Sequence, residues 1–160
     1  MANLSCVYTL NCGGGGTVYL NNGTLWVDDV LWLSNVRGLD GPTGRVPFDN
    51  VPFGDGGLIH HSFKGPRRPR FEGDLIVGQD AWGTSLCDTR LYSMESSLNT
   101  ALNSILAPTS GTLSWNPGTG SKSLTVFYDA QEAPLDIQPG NGFATRAFSF
   151  GLISAAADPS

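Results

Sequence analysis

The sequence predicts a mainly β fold, a β-sandwich with one flanking α-helix over about residues 90–106. Three observations carry that expectation. Short runs of β-branched and aromatic residues recur along the chain, each closed by Gly, Pro, Asn or Asp. The composition is turn-rich and charge-poor, with 21 Gly, 10 Pro and only 14% charged residues, against roughly 25% in ordinary soluble domains. Only one stretch repeats apolar side chains at three- and four-residue steps. The length of 160 residues fits a single domain able to bury a core. Its expected layout has an N-terminal extension over about residues 1–16 and a long loop over about residues 41–57.

The first candidate strand is Cys6-Val7-Tyr8-Thr9-Leu10, ended by the run Gly13–Gly16, which reads as a flexible turn. Four glycines without a following helix that carries Lys or Ser do not make a phosphate cradle. Thr17-Val18-Tyr19-Leu20 is the next strand, and Asn22-Gly23 signals a hairpin turn because both residues tolerate positive φ. Thr24 to Leu33 reads as a strand, broken by a turn at Asp28-Asp29. Residues 41–57, rich in Pro, Gly and Asp, read as an irregular surface excursion. Leu58-Ile59 and Phe71 to Val77 resume the β pattern.

Leu91, Met94, Leu98, Leu102, Ile105 and Leu106 form the apolar stripe of the helix. Asp88 or Thr89 is placed to cap its start, and Pro108 forces its end. The opposite face is Ser, Thr and Asn without charge, so packing rather than propensity must hold it. Gly111 to Trp115 and Ser123 to Tyr128 read as a hairpin around Asn116–Gly120, followed by a short strand at Leu135–Gln138. Phe143 to Ile153 alternates with period two, placing Phe148, Phe150 and Leu152 on one face.

A net charge of −5 and a pI near 4.7 oppose bulk nucleic-acid binding, which needs a basic face. They are compatible with a surface past which DNA slides. Low charge is also what an interface core shows. Cys6, Cys12 and Cys87 form no C-x-x-C pair, so neither a zinc nor a redox motif is signalled. No apolar run approaches a membrane span, and the N-terminus lacks a signal-peptide pattern. The expectation is a chain with no membrane partner, made and assembled in a cytoplasm.

Catalytic and cofactor motifs are weak. His60 and His61 are adjacent and in a strand point to opposite faces, which disfavours a shared metal, even with Asp55 and Cys87 in mind. No G-x-S-x-G elbow occurs. Gly118 to Ser123 ends like a P-loop, but Ser121 stands where Gly must precede the Lys. The expectation is no cofactor, no metal and no enzyme. Trp26, Trp32, Trp82 and Trp115 keep a carbohydrate-binding β-sandwich module open as the alternative of another class, although strand aromatics are more often core.

The segment 53–77 stands out. Lys64, Arg67, Arg68 and Arg70 are four of nine Lys+Arg residues in an acidic chain. They can contact nucleic acid, line a solvated loop, or pair with carboxylates on another copy. Arginine suits the last role because its planar fork binds carboxylates bidentately. The candidate subunit-interface set is Lys64, Arg67, Arg68, Arg70, Asp55, His60 and His61.

The order of these features carries a resemblance. Val36-Arg37-Gly38-Leu39-Asp40-Gly41 is followed by Asp55-Gly56-Gly57 and Arg70-Phe71-Glu72-Gly73-Asp74-Leu75-Ile76. A single helix ends near Pro108, then come Gly111-Thr112-Leu113-Ser114-Trp115, Phe148 to Ile153 and Asp158-Pro159. Over about residues 17–159 the chain resembles the N-terminal, ring-forming domain of phage distal tail proteins, most of all minor tail proteins of long-tailed phages infecting actinobacteria. The resemblance implies a fold related to the tail-tube fold. It also implies a structural virion protein forming a ring, usually of six copies, at the distal end of the tail. Such a ring joins the tube to the tip or baseplate hub around a DNA channel. The implied partners are further copies of itself, the tail-tube protein, the tip or hub protein and the tape measure protein, with DNA only in transit. A tail-tube or tail-terminator subunit is the nearer alternative. Many members continue into a second, often carbohydrate-binding-like domain. Here the sequence stops after Asp158-Pro159, so receptor binding is expected to fall to partners.

Overall fold

The computed structural model describes residues 6–39, 44–45, 48–50, 57–59, 63–64, 66–139 and 144–154, with backbone alone considered between 44 and 64. The strands are β1 (Tyr8–Asn11), β2 (Thr17–Leu20), β3 (Val30–Arg37), β4 (Gly44–Arg45), β5 (Phe48–Asn50), β6 (Gly57–Ile59), β7 (Phe63–Lys64), β8 (Arg70–Ile76), β9 (Gly111–Trp115), β10 (Lys122–Tyr128), β11 (Asp136–Pro139) and β12 (Thr145–Ile153). The helix α1 spans Leu86–Ser104.

Eight strands make one antiparallel sheet in the order β2-β1-β9-β10-β12-β8-β3, with β11 also on β12. The two layers expected of a sandwich are the two halves of this sheet. Among the described residues their strands pair only where Phe127 and Tyr128 of β10 meet Ile153 and Leu152 of β12. Beyond that corner the sheet folds over. Tyr8 of β1 packs edge-on against Phe71 of β8 at 5.6 Å, although three strands separate β1 from β8 in the sheet order. Phe71 stacks on Phe150, and Phe150 on Phe148. The alternation read in β12 is therefore the core face, with Phe148, Phe150 and Leu152 buried.

The two outer edges of the sheet, β2 and β3, converge on Asn21. Its backbone N–H donates to the Leu31 carbonyl at 2.8 Å, and its side-chain oxygen accepts from the Leu33 N–H at 2.7 Å. Asn21 adopts φ 61°, which Asn tolerates better than most residues. This corrects the hairpin reading at Asn22-Gly23: residues 21–29 form a turn-containing loop, and β3 starts only at Val30. The predicted break at Asp28-Asp29 falls at the end of this loop, directly before the strand begins at Val30.

α1 begins four residues before the predicted 90, and Ile105 already follows its end. The Thr84 hydroxyl accepts from the Leu86 N–H at 3.2 Å and donates to the Ala81 carbonyl. Asp88 and Thr89 lie inside the first turns instead of capping them. Leu91, Leu98, Leu102 and Ile105 are buried, whereas Leu106 is exposed. The glycine run is a short 3₁₀ turn, Gly13–Gly15, seated on the helix end. A Cβ on Gly15 would come within 2.1 Å of Ser104 Oγ. The expected irregular excursion contains nested pairings, Gly44 with Lys64 and Phe48 with Ile59.

The outer faces of the two sheet halves differ in charge. On the first half, cross-strand register aligns Tyr19, Thr9, Ser114 and Ser123 in one row. Thr17, Asn11, Thr112 and Thr125 align in the next. On the second half, Glu72 lies between Asn35 and Ser149, Asp74 between Trp32 and Ala147, and Arg70 beside Arg37.

Candidate functional site

The basic segment runs antiparallel to the end of β12. Arg67 N–H donates to the Ser154 carbonyl at 2.9 Å, Ser154 N–H returns a bond to Arg67 O at 2.8 Å, and Leu152 N–H donates to Pro69 O at 2.8 Å. These bonds fix three arginines in three environments. Arg67 is only 2% exposed, and its guanidinium donates to the Leu39 carbonyl. Arg68 bridges Asp129 at 3.0 Å and Glu132 at 2.6 Å. Arg70 bridges the same Asp129 oxygen at 3.0 Å and donates to the Leu152 carbonyl at 3.3 Å.

Asp129 is the hub of this cluster and is 7% exposed. Its backbone holds it in place: its N–H donates to the Gly151 carbonyl, and its carbonyl accepts from Ala133 N–H, both at 3.0 Å. Its second carboxylate oxygen accepts from Glu132 N–H. Tyr128 Oη accepts from Leu135 N–H at 2.6 Å, which pins the other end of the 129–135 connection. Gly151 makes room for the cluster, because a Cβ there would lie 2.2 Å from the Arg70 guanidinium. Two guanidiniums around one buried carboxylate, with Glu132 at the exposed side, leave an open charged rim. A cleft of about 460 Å³ adjoins it, lined by Arg37, Glu72, Pro134, Leu135 and Ser149 among others. Arg37 and Glu72 pair across its mouth at 2.9 Å.

Of the sequence-predicted interface set, the structure brings Arg67, Arg68 and Arg70 together on one edge. Arg68 and Arg70 find their carboxylates within the chain, and Arg67 is a core residue of the single subunit. Lys64 ends β7, and nothing is described of its side chain. Asp55, His60 and His61 lie outside the described residues. Sequence reasoning missed Asp129 and Glu132. Their signal was an acidic pair directly after the Ser123–Tyr128 strand, but nothing local links it to a segment some 60 residues earlier.

The tryptophans do not gather into one platform. Trp26 is 41% exposed, yet Trp82 meets its ring edge-on at 5.6 Å and 78°. Trp115 stacks on the buried Tyr8, and Trp32 stands on the charged half of the sheet. Below Trp26, Arg90 forks onto both Asp80 oxygens at 2.9 and 2.8 Å. That guanidinium holds the Asp80 carboxyl below its ordinary range. Burial pushes the Cys12 thiol up to about 11, so it is protonated at neutral pH. Among the described residues no cluster of His, Cys, Asp and Glu could hold a metal, and no helix is long and apolar enough to cross a membrane.

The fold is that of phage hub and baseplate proteins. The chain is similar to SPP1 Dit, whose crystal structure is described as a paradigm of the hub adsorption apparatus in phages infecting Gram-positive bacteria. The TM-score is 0.57 at 12% identity, over 94% of this chain and 51% of that one. It is also similar to a chain in the phage p2 baseplate in its activated conformation with Sr. There the TM-score is 0.56 at 11% identity, over 95% and 45% of the two chains. This chain thus spans about half the length of each. No family model matches the sequence, and no curated protein does.

Proposed function

We propose that this chain is a structural subunit of a phage tail, forming a closed ring at the distal end that joins the tail tube to the tip or baseplate hub around a DNA channel. The observation that carries this reading is the similarity to SPP1 Dit along 94% of the chain. The whole folded unit, not a shared motif, corresponds to part of a hub protein. The order of sequence features across residues 17–159 supports the same reading, independently of that superposition. A closed cyclic assembly is the usual solution for a repeated structural subunit, and a ring of about six copies is the reading taken here. Its neighbours would be the tail-tube protein above and the tip or hub protein below, in a long-tailed virion assembled in the host cytoplasm. The role is mechanical and not catalytic.

The test is the native mass of the purified chain together with protein identification in purified virions. The expected result is a particle near six times the 16.9 kDa subunit mass and the chain in the virion tail. A clean monomer at high concentration, absent from virions, overturns the reading.

A further inference from the structure

The loop that carries the chain from β2 to β3 holds the dipeptide Asn22-Gly23, and both of its ends are tied down. On one side Asn21 bonds Leu31 through its backbone and Leu33 through its side chain. On the other side the Thr24 N–H donates to Asp28 Oδ2 at 2.7 Å, and the Thr24 carbonyl accepts from the Val27 and Asp28 N–H groups. Between these ties, neither the Asn22 amide nor the Gly23 N–H has a hydrogen-bond partner among the described residues. We propose that Asn22 is a site of spontaneous covalent modification, where the chain converts its own asparagine to isoaspartate and aspartate. The proposal stands independently of the ring reading above.

The reaction needs water and nothing else. The Gly23 backbone nitrogen attacks Asn22 Cγ, and the new C–N bond closes a cyclic imide. The Cγ–Nδ2 bond breaks, and Nδ2 leaves as ammonia with the proton that Gly23 has lost. Water then opens the ring. Opening at Cγ leaves aspartate. Opening at the main-chain carbonyl leaves isoaspartate, whose backbone runs through Cγ and is longer by a methylene. No atom is oxidised or reduced. Glycine suits the attacking position because no Cβ crowds its nitrogen.

The fold sets Asn22 apart from the other asparagines. Asn11 and Asn116 each accept from the N–H two residues on. Asn35 donates to Glu72, Asn103 donates to Asn99 along α1, and Asn21 is buried against Leu33. Each of these amides gives up a hydrogen bond before its Cγ can be attacked, and Asn116 precedes Pro117, which has no N–H to react. Asn22 has no such bond to lose and is exposed. It lines an open cleft of about 510 Å³ between α1 and the edges β2 and β3, so water reaches the imide and ammonia escapes. The fold also keeps the reactive glycine in place. Gly23 has φ 125°, and a Cβ there would lie 2.8 Å from Val30 Cγ1. The product adds a carboxylate near Asp28 and lengthens the backbone directly after the Asn21 closure.

The full chain is aged in warm, mildly alkaline buffer, folded and in urea, and mapped by peptide mass spectrometry that separates the two acid isomers. In the folded chain Asn22 is expected to convert at nearly its rate in urea, with isoaspartate in excess, while Asn11, Asn35, Asn99, Asn103 and Asn116 keep their amides. An Asn22 amide that survives in the folded chain but is lost in urea shows that the loop protects it, and overturns the proposal. Conversion of the hydrogen-bonded asparagines at the same rate overturns it as well. Asn22→Gln, whose longer side chain closes the ring poorly, should stay an amide, and its equal conversion overturns the imide route. Asn22→Gln aged in parallel is also the blank for Asn141-Gly142, which lies outside the described residues. Against that blank, the aged wild-type fraction made more acidic should unfold at lower urea. Asn22→Asp, which adds the charge without the methylene, should lose less. Equal midpoints overturn the link to the Asn21 closure.

Discussion

Arg67 holds its guanidinium against the Leu39 carbonyl at a site almost closed to water, one residue before an arginine that is one-third exposed. Removing a charged partner from a buried site is far more damaging than removing one at a rim. Arg67→Ala is therefore expected to destabilise the isolated subunit by about 3 kcal/mol. Arg68→Ala should lose under about 1 kcal/mol, since Arg70 still neutralises Asp129. Urea denaturation of the two variants checks the order, and equal losses contradict it. Asp80 offers a second residue-scale check. Its folded-state pKa lies below its ordinary value of 3.8, so its tie to Arg90 contributes fully above that value and is lost as pH falls through the lower folded value. Wild type and Asp80→Asn should show parallel stability above about pH 5 and converge only in acid. A difference that grows towards alkaline pH contradicts the assignment.

At the scale of elements, the fold depends on two closures that lack a strand ladder. One is Asn21, which joins edges β2 and β3 with one backbone and one side-chain hydrogen bond. Asn21→Ala leaves the buried Leu33 N–H without its acceptor and puts Ala at positive φ. A loss of about 2–3 kcal/mol is expected, and Asn21→Gly, which relieves φ alone, should recover part of it. The other is Gly15 against the end of α1, where Gly15→Ala forces Ser104 aside and should lower the thermal midpoint by several degrees, from about 1–2 kcal/mol of overpacking.

These closures mark the boundary of what the sequence makes legible. Phe148, Phe150 and Leu152 announce a buried strand face by local alternation, and Leu91, Leu98 and Leu102 announce a helix face by their spacing. The β9–β10 hairpin is legible because a short turn fixes its partner. Asn22-Gly23 misleads because a turn signal does not say which strands it joins, and here tertiary contact carries the chain across to the far edge of the sheet. The start of α1 is hidden because Ser85 at its N-cap makes no side-chain capping bond, and the Thr84 hydroxyl, anchored to a preceding 3₁₀ turn, meets the Leu86 N–H instead. The basic segment is visible as a concentration of charge. Its answer, Asp129, is set by the pairing of β12 with β8, which brings distant stretches to one edge.

For the whole molecule, the asymmetry of charge is the organising property. Among the described residues of this acidic chain, Arg37, Arg70, Glu72, Asp74 and Asp136 lie on the strands of one half-sheet and Lys122 alone on those of the other, with further charges on and before α1. Thr125 is exposed, so Thr125→Lys should leave subunit stability within about 0.5 kcal/mol of wild type in urea denaturation; a larger loss contradicts that placement.

The central claim is a single structural ring at the distal end of a tail, and the copy number of this chain per virion tests it most directly. Quantitative mass spectrometry of purified virions should find about six copies, one closed ring. Copies in the tens to hundreds, as stacked rings along a tube require, or none at all, would contradict it.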